Sequence, residues 1–478
     1  MQPRPSIDIR TILRERANLV AMLLLLVVFF AVRLSLWVHP PQTYADSSSY
    51  YQPANQIVAS GFSLETWDSD RVPVYPLFLA AVFSASGGEN LPAVITIQKL
   101  LGLAIALVLF WMGRRLSGSP WIGLAFGLFY ALNVPAALFE VTILTETFSL
   151  CLVVVAVALQ LWILSLLQRR EAPEVGLLVL YLALGVLCAG LALTRHAFAA
   201  YWLAPLSILA LAILLQPAPQ RQRRRRLVMA AFLAVLPIIA VLAWSDNNRQ
   251  RFGWFTFSPI AGSNLSNMAG GFMEAAESED CQSFVALYLK YRAMEMAENQ
   301  THAMTINRAR EEWIDVQNVQ QRVDFQKLAY QCSLEAILAR PDLYVQTMLE
   351  SRQLFWDPAF YSRNPLVGIT GWLADRSAAV LRLLKVLFEA ASLLWVLYPA
   401  IYALARREPF TRQEILSPWL AAGLVLATTW YVYLTSIGFE YGENRRYKSV
   451  VEPLIPAAIT LVGLLYTRLF TRPRAPRA

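Results

Sequence analysis

The residues best suited to chemistry in this chain are carboxylates and arginines, and they fall in a few short polar stretches between long apolar ones. The densest covers residues 44–79, YADSSSYYQPANQIVASGFSLETWDSDRVPVYPLFL, with three aspartates, one glutamate, one arginine, five tyrosines or tryptophans and three prolines. Asp46, Asp68, Asp70 and Arg71 stand in it. Further along come Glu146 in Leu144-Thr145-Glu146-Thr147, Arg195 in Thr194-Arg195-His196, and Glu443, Arg445 and Arg446 in GFEYGENRRYKSVVEP. A carboxylate can take a proton from a hydroxyl, or join a second one around a divalent cation. Arginines hold phosphate through forked, charge-assisted hydrogen bonds. Together the two types suit a site that handles both a hydroxyl and an anion.

Each residue also has a plainer structural reading. Asp46 would cap a short helix over 47–57 by accepting hydrogen bonds from its first free amides. Asp68-Ser69-Asp70 has the D-x-D form of a metal pair, a form that solvated loops also contain. Arg71, ahead of Pro73 and Pro76, suits a lipid phosphate or ordinary headgroup contact. Glu146 opens an apolar run, where it would favour the helix dipole or face a polar cavity, because a carboxylate in hydrocarbon is costly. Arg195 interrupts an apolar pattern and needs an anionic partner. Glu443, Arg445 and Arg446 would make a salt-bridged turn of small worth. Their joint placement is what singles them out, and it depends on the elements that carry them.

Those elements are membrane spans. The 478 residues are 57% hydrophobic and 15% charged, against about a quarter charged in soluble domains. Several runs approach the roughly 20 apolar residues that cross a bilayer as a helix. The net charge of +8 sits largely in short arginine clusters between these runs, the positive-inside pattern, which argues against a nucleic-acid partner. The first apolar run is too long for a signal peptide core and lacks a clear cleavage site, so it reads as a retained span. About ten spans are expected, over 17–38, 91–112, 121–138, 143–167, 175–193, 199–215, 227–244, 378–404, 415–437 and 450–469. The apolar run 74–83 is too short to cross and reads as an interfacial helix. With it non-spanning, every arginine cluster falls inside. Asp46, Asp68, Asp70, Arg71, Glu140, Glu146, Arg195, Glu440, Glu443, Arg445, Arg446 and Lys448 then collect outside.

The expected organisation is a transmembrane module over 1–244 with its first outer loop at 39–90, an outer helical region over 245–370, and C-terminal spans over 371–478. In the outer region Phe325, Leu328, Ala329, Cys332 and Ala336 make one helical stripe, expected to pack against the membrane part. Tyr344, Val345, Met348 and Leu349 repeat it after Pro341. Cys151 and Cys188 lie in apolar runs. Cys281 and Cys332 share the polar region, where a disulfide would form on an oxidising side. His39, His196 and His302 are far apart and form no metal motif.

These motifs, in this order, resemble the polytopic GT-C glycosyltransferases that use polyprenyl-phosphate sugars, such as protein O-mannosyltransferases and the lipid A aminoarabinose transferase. The carrying residues are Ala45-Asp46-Ser47 to Tyr50, Gly61-Phe62, Arg71-Val-Pro-Val-Tyr-Pro-Leu-Phe-Leu-Ala80, Gln98-Lys-Leu-Leu-Gly102, Leu144-Thr-Glu-Thr147, Leu193-Thr-Arg195 and Gly442-Glu-Asn-Arg-Arg-Tyr447. The resemblance implies an all-α, GT-C-like bundle with outer juxtamembrane helices and a helical outer cap. It implies an inverting transferase at the outer face of the plasma membrane. The donor would be a polyprenyl-phosphate sugar and the acceptor a lipid, glycan or protein hydroxyl. Asp46 matches the family's base and Glu146 an acidic position of the second outer loop. Arg71, Arg195 and Arg445, with Arg446, match phosphate-facing positions. Residues 139–144 lack the second aspartate that a two-aspartate mechanism would need. The resemblance implies no cofactor; the D-x-D form of Asp68 and Asp70 by itself leaves a divalent metal open. The rival reading is a flippase of lipid-linked saccharides, which would carry mid-span charges, broken helices or repeat symmetry.

Overall fold

In hydrocarbon a backbone can satisfy its own polar groups as a helix, and the long apolar runs of this chain are helical. The computed structural model describes residues 9–37, 40–44, 46–63, 70–168, 173–299, 301–303, 305–315, 318–359, 368–406 and 413–470. The first half comprises α1 (Ile9–Trp37), α2 (Ser48–Ala59), α3 (Val74–Ala85), α4 (Leu91–Ser117), α5 (Pro120–Ala131), α6 (Val134–Glu140), α7 (Glu146–Leu167), α8 (Glu174–Ala192), α9 (Leu203–Leu215) and α10 (Gln220–Phe252). A helical cap follows: α11 (Ala261–Ala269), α12 (Gln282–Asn299), α13 (Thr305–Trp313), α14 (Val319–Ala339) and α15 (Pro341–Phe355). The chain then returns through α16 (Ile369–Arg406), α17 (Gln413–Phe439), α18 (Asn444–Ser449) and α19 (Leu454–Phe470). Among the described residues strand pairing is confined to one isolated bridge, Gln42 with Thr142.

Seven of the described helices are long and apolar enough to cross a membrane, or eight if the bent pair α5 and α6 is one span. The expectation of about ten also counted α16 and α19. α16 carries Asp375, Arg376, Arg382 and Lys385 along its first half and Glu389 just past its middle, and α19 has 17 residues, short of the roughly 20 that span. α3, with 12 residues, is too short as well, and packs on α2 and α4.

The expected third span is not straight. It breaks between α5 and α6 with a bend of 62°. Pro135 in the first turn of α6 has no amide to donate, and the Asn133 side chain caps that helix through the Ala136 amide. The break would strand carbonyls in an apolar interior, but Arg33 of α1 reaches across and donates NH1 to the Ala131 carbonyl at 2.9 Å. The same guanidinium makes a forked pair with Glu140, Nε to Oε2 at 2.7 Å and NH2 to Oε1 at 2.7 Å. Tyr130 donates its hydroxyl to Glu140, and Arg33 stacks over Phe29. Glu140 was expected on the outer face; it is instead sealed inside the bundle, 1% exposed like Arg33. The pair holds the broken helix against α1.

The pair also crowds a glycine. A Cβ on Gly102 of α4 would sit 2.3 Å from Glu140 Oε1 and 3.0 Å from the Tyr130 hydroxyl, so a side chain here would have to displace the Glu140 carboxylate.

The seventh span continues past residue 244, since α10 runs unbroken to Phe252 and enters the cap. The stripe expected to pack on the membrane part packs within the cap. Phe325, Ala329, Cys332 and Ala336 join Phe284, Tyr288 and Ile306 in a core of the cap's own. The reason is that α11, α12 and α13 bring enough apolar surface to cover α14. Cys281 and Cys332 form a disulfide in that core, with Cα atoms 5.6 Å apart.

Two single variants and one double variant test the Arg33 network in thermal unfolding of the detergent-solubilised chain. Arg33→Leu, which leaves Glu140 buried and unpaired, should cost about 3–5 kcal/mol. Gly102→Ala should cost about 1–3 kcal/mol by overpacking. Arg33→Leu combined with Glu140→Leu should recover part of the loss.

Candidate functional site

The site gathers where α1, α4, α7, α8 and α17 meet the cap. The local backbone brings its pieces together. Gln42 exchanges hydrogen bonds with the 141–143 segment, its amide to Val141 O at 2.8 Å and its carbonyl from the Ile143 amide at 3.0 Å. This lays the segment leading to Glu146 beside the one leading to Asp46. Val74, at the start of α3, donates to Leu193 O at 2.9 Å, which brings Arg71 toward Arg195. Gln98 of α4 links both: its amide donates to Thr142 O at 2.8 Å and its carbonyl accepts from the Tyr75 hydroxyl at 2.8 Å. Asn444 fixes the joint between α17 and α18 by donating to Ser436 O and Glu440 O, and two residues on stands Arg446.

Arg446 is the hub. Its Nε donates to Glu146 Oε1 at 2.8 Å, and NH1 reaches Asp46 Oδ2 at 2.8 Å and Glu443 Oε2 at 2.7 Å. Asp46 Oδ1 accepts from Arg71 NH2 at 3.0 Å, while Arg71 Nε donates to Ser49 Oγ at 3.0 Å. Glu146 Oε1 also accepts from Arg195 NH1 at 3.2 Å. Aromatic faces back the cations, Tyr50 beneath Arg71 and Tyr447 beneath Arg195. Exposure grades across the network: 1% for the Glu146 side chain, 7% for Arg446, 12% for Arg195, 17% for Arg71 and 35% for Asp46. Glu443, on the rim of the network, is 48% exposed, so Asp46 and Glu443 are the carboxylates open to solvent, and Asp46 is the one held between two arginines. Glu146 Oε2 is sealed and has no hydrogen-bond partner among the described residues.

The expected capping role of Asp46 is not what its side chain does. Ser47 precedes α2, which has no side-chain cap, and the Asp46 carboxylate goes to the two arginines instead. Ion pairing at this partly desolvated position outcompetes a cap to an amide that water can serve. Burial by itself would raise the Asp46 carboxyl; Arg71 and Arg446 outweigh it and hold the group well below the usual carboxylate range.

The remaining expected residues divide. Arg195 and Arg446 join the network, and Arg445 is exposed outside it, with no ion pair to the described residues. Asp70 faces Arg322 of the cap at 3.5 Å. Asp68 lies outside the described residues. Among the described residues no three His, Cys, Asp or Glu side chains gather to hold a metal, and the guanidiniums around Asp70 disfavour a cation there. Lys448 is fully buried, donating to Asp357 O at 2.7 Å and 3.5 Å from Glu452. Arg33 was not singled out in the sequence, though a lone arginine inside an apolar run was a signal. Tyr50, Tyr75 and Tyr447 were signalled only by the aromatic density of their stretches.

Glu440 stands apart from the ion pairs. It is buried where α17 ends against the cap, and burial, with the Glu443 charge adding, pushes its carboxyl up to about 8.

No protein-family model matches the sequence, and no curated protein matches it. Among solved structures, the crystal structure of ArnT from Cupriavidus metallidurans in the apo state aligns over 91% of this chain and 77% of that one, at 13% identity and a TM-score of 0.33. At that score the alignment carries no functional argument.

The Glu440 carboxyl makes a pH prediction. Its folded value of about 8 lies above the ordinary 4.5. Between these the folded chain keeps a proton that the unfolded chain has released, so stability falls as pH rises through the window. Glu440→Gln should flatten that fall. Thermal midpoints of parent and variant at several pH values between 4.5 and 8 check it; parallel curves would exclude Glu440 as the source.

Proposed function

We propose that the protein is an integral-membrane glycosyltransferase of GT-C type that moves a sugar from a polyprenyl phosphate to an acceptor hydroxyl, with inversion. The observation that carries the reading is the Asp46 carboxylate, partly open, between Arg71 and Arg446, with Arg195 and Glu146 one contact further in. A base and anion receivers thus stand side by side at the membrane boundary. Asp46 accepts the acceptor's hydroxyl proton as that oxygen bonds to the anomeric carbon. The bond from that carbon to the phosphate oxygen breaks, and its electron pair leaves on the polyprenyl phosphate. Arg71 and Arg195 take up the growing negative charge, the kind of stabilisation that usually dominates such reactions.

The depressed Asp46 carboxyl suits this order of events. While two guanidiniums hold it, the carboxylate is a weak base. An arriving phosphate competes for Arg71, and each hydrogen bond that moves to the phosphate makes Asp46 more basic. Glu146, sealed and shared by Arg195 and Arg446, acts as their positioning acid.

A groove of about 780 Å³ supports a lipid-borne donor. It lies between α9, α15, α16 and α17, walled by Ile208, Leu393, Trp430 and Ile437, with the pair Arg352–Glu389 on its cap side. It holds the prenyl tail, and Ile437 leads directly into the joint that carries Arg446. The cap disulfide supports an outward-facing site, because disulfides persist on the oxidising side of a membrane. The broken span and the buried Arg33–Glu140 pair are features a flippase would share. Both are closed by their own hydrogen bonds to Ala131 O and Tyr130, which fits a static scaffold.

Transfer from labelled polyprenyl-phosphate sugars to envelope lipid extract, in nanodiscs, is the direct test. Asp46→Asn should lower the turnover by at least about a hundredfold with the fold retained. Glu146→Gln should act chiefly by loosening the arginines and raise the donor KM. Transfer that survives Asp46→Asn sinks the assignment of the base. For the groove, Ala427→Phe should raise the KM for a long-chain donor and leave a short-chain donor nearly unchanged; equal effects on both would remove the tail from this groove.

A further inference from the structure

Helix α15, the last of the cap, has two unlike open faces. Its packed side is Thr347, Ser351 and Phe355. Away from that side, Pro341, Val345 and Leu349 form a row at four-residue spacing, all exposed, with Val345 53% and Leu349 60% open. A second row, Asp342, Gln346 and Glu350, lies about 100° further round the helix; it is equally exposed and wholly polar. Exposure alone does not say what meets either row. The level at which the helix is held does.

Two contacts fix that level against α17, one of the helices long and apolar enough to span. Near the start of α15 the Tyr344 hydroxyl donates to the Gly438 carbonyl at 2.5 Å, one residue before α17 ends. At its end Phe355 packs edge-on against Tyr433, with ring centroids 4.9 Å apart, and Trp356 lies against Tyr433 and Phe388. Phe355 and Trp356 belong to the apolar core of the spanning helices. From Gly438 back to Tyr433 is five residues of helix, about 7 Å along its axis. Val345 and Leu349 stand between these two fixed points, so their row lies at the margin of the span and not above it. The row also runs into surface that is apolar and open. Leu349 is a wall of the groove between α9, α15, α16 and α17, and Leu393 and Val396 on the α16 side of that groove are exposed as well.

We propose that α15 is an interfacial helix, with the Pro341–Val345–Leu349 row seated in the acyl region of the leaflet on the Asp46 side. Interfacial helices bury their apolar faces by roughly 5–10 Å, which matches the drop from Gly438 to Tyr433. The polar row then faces headgroups and water. Arg352, next along the apolar row, fits the same seat: its stem extends the row, and Glu389 of α16 pairs its charge at 2.5 Å. Lipid is thus the partner that holds this edge of the cap down. Because Leu349 belongs to both surfaces, an acyl or prenyl chain passes from the leaflet into the groove without crossing water.

The test needs neither donor nor transfer, so a negative result leaves the Asp46 assignment untouched, and failed transfer leaves this one untouched. The full chain is placed in phosphatidylcholine–phosphatidylglycerol nanodiscs with its disulfide intact and with Cys151→Ala and Cys188→Ala. One nitroxide at a time is attached at Val345→Cys, Gln346→Cys, Leu349→Cys, Glu350→Cys and, as the lipid reference, Ile239→Cys on the exposed face of α10. Collision rates with oxygen, which partitions into lipid, are compared with those of a water-soluble nickel chelate. The oxygen-to-nickel ratio should be high at 345 and 349, approaching that at 239, and low at 346 and 350. Equal ratios at the four α15 positions, or the opposite phase, overturn the proposal. So does protection of 345 and 349 from both reagents, which would mean that protein, such as a second copy of the chain, covers the row. If the cysteine-replaced chain does not fold, a benzophenone amino acid at positions 345 and 349 of the otherwise unaltered chain carries the same test. Photocapture of phospholipid, read as a mass increment, is then the expected result, and capture of a second chain or of nothing overturns the proposal.

Discussion

Charge beside hydrocarbon has to be paired, and in this molecule the pairing converges on Arg446. A single guanidinium touches Asp46 from the first inter-span loop, Glu146 from the head of α7, and Glu443 from its own turn. Each of those acids would be costly alone at a membrane boundary. Joined through one cation they become mutually dependent, so the three segments are held at one point although they are far apart in sequence. Arg71 and Arg195 extend the same logic outward, each sharing a carboxylate that Arg446 already holds.

That convergence needs rigid approaches, and the chain supplies them by neutral hydrogen bonds. Gln98 ties Tyr75 to the 142 carbonyl, Gln42 pairs with the 141–143 segment, and Asn444 closes the end of α17. Below them the Arg33–Glu140 pair bridges the broken span and leaves no room for a side chain at Gly102 without displacing Glu140. The layers differ in what they can do. The lower pair is sealed and fully bonded, so it can only hold shape. The upper network is graded in exposure, and at its more open end Asp46 is held by Arg71 and Arg446 while solvent reaches it. On the proposed reading, that arrangement holds the carboxylate until an anion competes for its arginines.

The cap is a second body with a core and a disulfide of its own, yet it is not independent of the site. α10 runs into it unbroken, Tyr344 donates to the Gly438 carbonyl at the end of α17, and Ser351 donates to Glu440 O. Arg322 of α14 faces Asp70 of the first inter-span loop at 3.5 Å.

The sequence by itself determined that the chain is a helical membrane protein, that α3 is too short to cross, and that the acids and arginines of the loops belong together. Those follow from run length, hydropathy and the sign of charge, which act locally. It could not choose among the readings of Asp46, because a carboxylate before a helix caps it or pairs elsewhere according to what stands nearby. Nor could it say that Arg446 rather than Arg445 turns inward: the two are neighbours of one type, and only the Asn444 joint decides which faces Glu146. Glu140 read as a surface acid because Arg33, 107 residues earlier, had no local mark beyond interrupting an apolar run. The stripe on α14 was legible as a stripe, but not its partner, since an apolar face is satisfied by any apolar surface. Tertiary structure settled these points for one physical reason: ion pairs and apolar contacts fix what type of partner a residue needs, and folding alone fixes which partner is within reach.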